Sequence, residues 1–151
     1  MTSDKAVISI LLEQINAYKM LLDLLKSERV CLVDFDAEKV EAISKEKDTV
    51  VMRLRLLEEE RVRLLKKYAE EKGLSSDINL DEMAKYTGDS NFSELRNQML
   101  SLLQNIEEMN KFNNVLIDRS IKYIRTTTSF FNSFTAHHMP QTAGVLLSKE
   151  T

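Results

Sequence analysis

The chain has 151 residues, 43% of them apolar and 30% charged, with a formal net charge of −3. That length and balance suit one globular domain with a core, and they argue against a nucleic-acid binder driven by phosphate contacts. Three glycines and one proline are too few for the turns of a sheet protein, so the composition points to helices.

The first predicted helix starts at Ser3 or Asp4, either of which can cap it. Ile8, Leu11, Ile15, Tyr18, Leu22, Leu25 and Leu32 recur at spacings of three and four. Leu12, Leu21 and Leu24 widen that stripe, which gives the helix two neighbours. Residues 7–25 are the most apolar segment, yet they include Glu13, Gln14, Asn16, Lys19 and Asp23. The segment is therefore amphipathic, and no stable membrane insertion is expected. The only cysteine, Cys31, cannot form an internal disulfide and reads as an inert thiol at a helix end. With no cationic-then-apolar leader, the cytoplasm is the expected compartment. The pattern breaks over residues 33–36, where Asp36 is a good N-cap for the next helix.

The second predicted helix covers residues 37–72. Its stripe is Val40, Ile43, Val50, Leu54, Leu57, Leu64 and Tyr68, interrupted at core-type positions by Lys47 and Arg61. Glu41/Lys45 and Glu59/Arg63 have the favourable i, i+4 order on the outer face. Gly73 closes the helix as its C′ residue. Residues 74–91 form an irregular link holding a short helix over 80–86, capped by Asn79 and closed before Gly88.

Asp89, Ser90 and Asn91 supply caps for a third long helix over residues 92–134, which has neither proline nor glycine. Phe92, Leu95, Met99, Leu102, Ile106, Met109, Leu116, Tyr123 and Phe130 lie along one stripe. One helix of that length is roughly 65 Å long and is not stable alone, so its stripe must be covered. Met139 and Pro140 end it, and residues 139–151 read as a mobile tail. The expected organisation is all-α: a single antiparallel up-and-down bundle over residues 1–138, with a projecting C-terminal helix end. Pairing the second helix with the third places residue 72 level with 91 and residue 37 level with 126, to about a turn. Everything beyond Thr126 then projects, unless the helix breaks at Thr126, Thr127 and Thr128 and a fourth helix folds back.

The same pairing groups Tyr18, Lys47 and Asn113 as a polar layer that fixes register, as a buried asparagine does in coiled coils. On that reading Asn113→Leu raises stability and loosens register. His137 and His138 are adjacent, point about 100° apart on a helix, and have no Cys or Glu-x-x-His partner, so no metal and no cofactor is expected. No phosphate-binding glycine loop, nucleophile elbow or nucleophile–base pair is present, and no catalytic residue is assigned.

Phe130, Phe131 and Phe134 hold half of the chain's six phenylalanines, at a height where no neighbour helix is expected. Three readings are open: a partner-binding surface, packing within a folded-back tip, and a dimer interface. Ile117, Ile121 and Ile124 lead into the same region, accompanied by Arg119, Lys122 and Arg125, which favours an acidic or amphipathic partner.

On these features the chain resembles the FlgN-type flagellar export chaperones. The resemblance covers most of the length. It rests on the leucine-rich first helix and acidic break, and on Leu57, Glu58, Arg61, Leu64 and Leu65 near the end of the second helix. Its most telling element is the run Asn110, Asn113, Leu116, Ile117 in the third. It implies a small cytoplasmic, non-enzymatic helical chaperone, monomeric or weakly dimeric. Such a protein holds the C-terminal helical segments of hook–filament junction proteins for type III export, using its own C-terminal part. The family's tail often carries a tyrosine shortly before a glycine. The resemblance also implies that the client is handed to the export gate; residues 141–144, ending in Gly144, have no such tyrosine, so that gate contact is the one part of the implied role without its matching residue here. A coiled-coil scaffold or tether, and a helical nucleic-acid-binding module using Arg119, Lys122 and Arg125, are the alternative functions.

Overall fold

The computed structural model describes residues 2–135. The histidine pair, the Met139–Pro140 stop and the tail around Gly144 lie outside them. Four helices succeed one another: α1 (Ser3–Val33), α2 (Ala37–Lys72), α3 (Leu80–Thr87) and α4 (Asn91–Thr135), with no strand among the described residues. The architecture is an all-α helical bundle.

Local chemistry sets the boundaries. α1 starts one residue earlier than its capping residues suggested: Thr2 occupies the N-cap position without a side-chain cap bond. Ser3 is not free to cap, because its hydroxyl donates to Glu71 across the hairpin. α1 ends with the Asp36 amide donating to the Cys31 carbonyl and the Phe35 amide to that of Leu32. Phe35 sits at the left-handed position of this C-cap with φ 55°, where glycine is usual. A non-glycine residue there costs about 1–2 kcal/mol. Asp36 then caps α2 by accepting from the Lys39 amide at 3.2 Å. Gly73 and Gly88, with φ of 66° and 70°, close α2 and α3. The Asn79 side chain caps α3 by accepting from the Glu82 amide at 2.9 Å.

Register is set by cross-helix pairs. Ser3 meets Glu71, Gln14 meets Glu58, and Glu28 meets Lys47, so α1 and α2 are antiparallel. Asn113 meets Glu28, Phe112 lies under Arg29, and Tyr123 packs on Phe35, so α4 runs parallel to α1. α1 is therefore the central helix. The expectation that it has two neighbours holds, whereas the heights read by pairing α2 with α4 describe helices that are not in close contact. No α2 Cα lies within 8 Å of an α4 Cα among the described residues. Their side chains meet over α1 instead.

The core is densest at the α3 end, where Val7 and Leu11 of α1, Tyr68 and Ala69 of α2, Met83 of α3 and Phe92 of α4 are buried together. A second cluster of Ala17, Leu21, Leu25, Val50, Leu54 and Leu57 continues down the α1–α2 seam, with Ile106 and Met109 of α4 partly buried against it. Phe92 is fully enclosed; truncating such a side chain costs about 3–5 kcal/mol.

Arg61, read from sequence as an interruption of the α2 stripe, is balanced by Glu58, to which it donates through Nε at 2.7 Å and through its terminal nitrogen. Glu58 also accepts from the buried Gln14 at 2.8 Å. The Arg61 hydrogen bond holds the Glu58 carboxyl below its ordinary range, against the opposing effect of partial burial. Desolvation, and after it the nearby Glu58 charge, raises the neighbouring Tyr18 phenol.

Because the native pKa of Glu58 is lowered, its stabilising share is complete above the ordinary value of 4.5 and is lost as pH falls through the native value. Glu58→Gln should therefore be less stable than the parent at pH 7, and the difference should close below pH of about 4.5. Urea midpoints measured from pH 7 to pH 3 check this; a difference that stays constant with pH contradicts it.

Candidate functional site

The geometry of the α4 end depends on what fixes α4 against α1. Beyond Met99 the only buried α4 residues are Asn113 and Thr135, at the last described position. Asn113 is fully enclosed, and both hydrogens of its Nδ2 are used: one goes to the Leu25 carbonyl at 2.8 Å, the other to Glu28 Oε1 at 2.9 Å. The second Glu28 oxygen accepts from Lys47 Nζ at 2.7 Å. Glu28 is 2% exposed. One buried carboxylate thus joins α1, α2 and α4.

This places two of the three residues grouped from sequence. Asn113 and Lys47 meet at Glu28, whereas Tyr18 lies apart, beside Glu58 and Arg61. The register explains the correction: the α1 residue opposite Lys47 is Glu28, almost three turns past Tyr18. Sequence reading missed Glu28, although a signal was there. The α1 stripe passes from Leu25 to Leu32 with one turn skipped, and Glu28 stands in the gap. This geometry points to the opposite expectation for Asn113→Leu, since leucine strips a hydrogen bond from a buried carboxylate.

α1 and α2 both stop at the height of Tyr123, whose ring lies 5.8 Å from that of Phe35 in the turn joining them. α4 continues unbroken through Thr126, Thr127 and Thr128 to Thr135. Three threonines cost together only about 2 kcal/mol of helix propensity relative to alanine, too little to break a long helix. Twelve residues, about 18 Å of helix, lie past Tyr123.

The structure gathers the predicted apolar residues on this segment and just before it. Ile117 is half-buried at the end of the α1 contact, and Ile121 is exposed beyond it. Ile124 is 58% exposed, Phe130 73%, Phe131 51% and Phe134 59%. Phe131 is five turns past Asn113 and Ile124 about three, so both continue the face that Asn113 turns to α1. The exposure is a consequence of length: the stripe persists where the helix covering it has ended. Arg119, Lys122 and Arg125 are exposed on the flanks and back of the same segment. No ion pair involves them among the described residues.

What the segment presents is a run of exposed apolar side chains with cationic flanks. Among the described residues no group of three or more His, Cys, Asp or Glu side chains is placed to hold a metal ion. No described helix is long and apolar enough to cross a membrane. Cys31 is buried.

The model of the family described as FlgN protein matches residues 1–141 of the chain. No curated protein and no solved structure matches it.

Lys47→Met should destabilise by about 3–5 kcal/mol, because it leaves the Glu28 carboxylate buried without its counter-charge. Replacing Glu28 and Lys47 together by methionine should cost much less than that single change. Asn113→Leu should cost about 1–3 kcal/mol. Denaturant titrations of the three variants test the set; a stabilised Asn113→Leu protein contradicts it.

Proposed function

The chain belongs to the FlgN family of flagellar chaperones, and from that premise we propose that it is a cytoplasmic chaperone for the C-terminal helical segments of hook–filament junction proteins. It keeps them export-competent for the flagellar type III route. Members of the family are non-catalytic chaperones that bind hook–filament junction proteins.

One observation carries the assignment of the site. α4 outruns α1 and α2, and its α1-facing stripe continues into Ile124 and Phe131, both exposed. With Ile117, Ile121, Phe130 and Phe134 these residues form the proposed client surface. A client helix of amphipathic sequence lays its apolar face along them in the helix-in-groove manner. Burying one phenylalanine is worth roughly 1.5–3 kcal/mol, so two or three of them with the isoleucines suffice for a complex near −8 kcal/mol after ordering costs. That is about micromolar affinity. Binding leaves the α3 end of the bundle, where the core is densest, untouched. Residues 1–138 act as one unit in this reading, monomeric or weakly dimeric.

Calorimetric titration with C-terminal fragments of hook–filament junction proteins tests the proposal. Phe130→Ala combined with Phe131→Ala should weaken binding by well over tenfold, since truncating hot-spot aromatics costs about 2 kcal/mol or more. The melting temperature of the variant should move little. Unchanged affinity removes these residues from the site, and a large fall in melting temperature makes them core.

A further inference from the structure

We propose that the surface past Tyr123 receives one amphipathic helix that takes the place α1 would hold if it continued. This helix runs in the same direction as α1 and α4 and carries acidic residues in its first turns. The proposal rests on the reading of the α4 end as the client surface and adds the partner's track, polarity and charge.

The track is given by continuity with an existing interface. Ile124 and Phe131 lie on the α4 face that Asn113 presents to α1, and α1 stops one residue after Leu32. An occupant lying along that face is collinear with α1. From Ile124 to Phe131 about 12 Å of α4 is open to it, roughly two turns of partner helix, and the buried Thr135 bounds the track.

Polarity is set by the end it must abut. At the α1 C-terminus the last carbonyls carry the negative end of the helix dipole. The Asp34 carboxylate adds to it as the first residue after the helix, and the turn is exposed. Asp36 contributes less, being engaged by the Lys39 amide and, at 3.7 Å, by its ammonium. A partner presenting its N-terminus stacks head to tail on α1, with complementary dipole ends. A partner presenting its C-terminus brings like ends together. Phe35, 66% exposed at the left-handed position, forms the floor on which that first turn rests.

Charge is set by the flanks. Arg119, Lys122 and Arg125 surround the base of the projecting segment, with Asp118 the only acidic residue from there to Thr135. On the helical wheel Arg119 and Arg125 lie about 120° to either side of Asn113, and Lys122 lies opposite it. The two arginines can fold their stems around an occupant of the α1 track. Distal to Arg125 the surface carries no charge through Thr135. Acidic residues are thus favoured on the flanks of the partner's first turns, beside Arg119 and Arg125 and turned away from Asp34, where the partner's own dipole also favours them, and apolar or neutral polar residues are favoured beyond.

Three synthetic 18-residue peptides, titrated into the full chain by fluorescence anisotropy, test this. All share one apolar stripe; one carries glutamates in its first two turns, one lysines there, and one glutamates in its last two turns. The first should bind at least tenfold more tightly than the second and severalfold more tightly than the third. Arg119→Glu with Arg125→Glu should reverse the preference between the first two, whereas Arg55→Glu, on exposed α2, should not. A photo-crosslinker at the N-terminus of the first peptide should mark the turn at Phe35. Equal binding of all three peptides, or a mark at that turn from the C-terminus, overturns the proposal. So does a sedimentation result in which the chain dimerises through Ile124 and the peptides fail to compete, which gives the surface to a second copy. Junction-protein fragments that bind while the peptides show no preference leave the client reading standing and remove this one. Peptides that behave as stated while no fragment binds do the reverse.

Discussion

The Glu28 carboxylate is the point on which the bundle turns. It is buried, it accepts from Lys47 of α2 through one oxygen and from Asn113 of α4 through the other, and it belongs to the central helix. Placing a carboxylate there costs several kcal/mol of desolvation, which only good geometry from both partners offsets. The return is register. An apolar stripe repeating every three and four residues has nearly equivalent packings one heptad apart, and a buried hydrogen-bonded layer removes that degeneracy. Because Asn113 also bonds the Leu25 carbonyl, the rotation of α4 is set as well as its height.

Fixing α4 there has consequences about 20 residues further on, some five to six turns along the helix. The turn between α1 and α2 is three residues long, so those helices end at one height, marked by the Phe35–Tyr123 contact. α4 has 45 described residues against 31 and 36, and its surplus emerges at one end with Ile124, Phe130 and Phe131 exposed. The direction of that face is inherited from Asn113. Ring contact with Tyr123 also accounts for an aromatic residue at the left-handed C-cap, since such a pair is worth about 0.5–1.5 kcal/mol, comparable to the backbone cost.

Burial is unequal along the long axis. At the α3 end, Val7, Leu11, Met83 and Phe92 are fully enclosed by side chains from all four helices. Towards Tyr123, α4 residues are mostly half-buried or exposed, and polar layers at Glu58 and Glu28 replace part of the apolar core. Sparse apolar burial lowers the cost of local opening. The segment proposed to engage a partner is thus attached to the better-packed end through a specific hydrogen-bonded layer.

Much of this was readable in the amino-acid order, because it depends on local chemistry. Asp36, Asn79, Gly73 and Gly88 mark helix ends through caps and left-handed backbone, and they do so whatever the helices pack against. The three-and-four spacing marks three long helices. The FlgN resemblance needed only the order of such features. What the sequence left undecided depends on which helix lies beside which. Stripes on α1, α2 and α4 are alike in period, so periodicity cannot say that α4 rests on α1 and that α2 and α4 meet only through side chains. Nor can it say whether Lys47 faces Tyr18 or Glu28, residues almost three turns apart on one helix. Tertiary packing made that choice: the pairing that seats the Lys47 ammonium and the Asn113 amide on one buried carboxylate leaves neither charge enclosed without a partner.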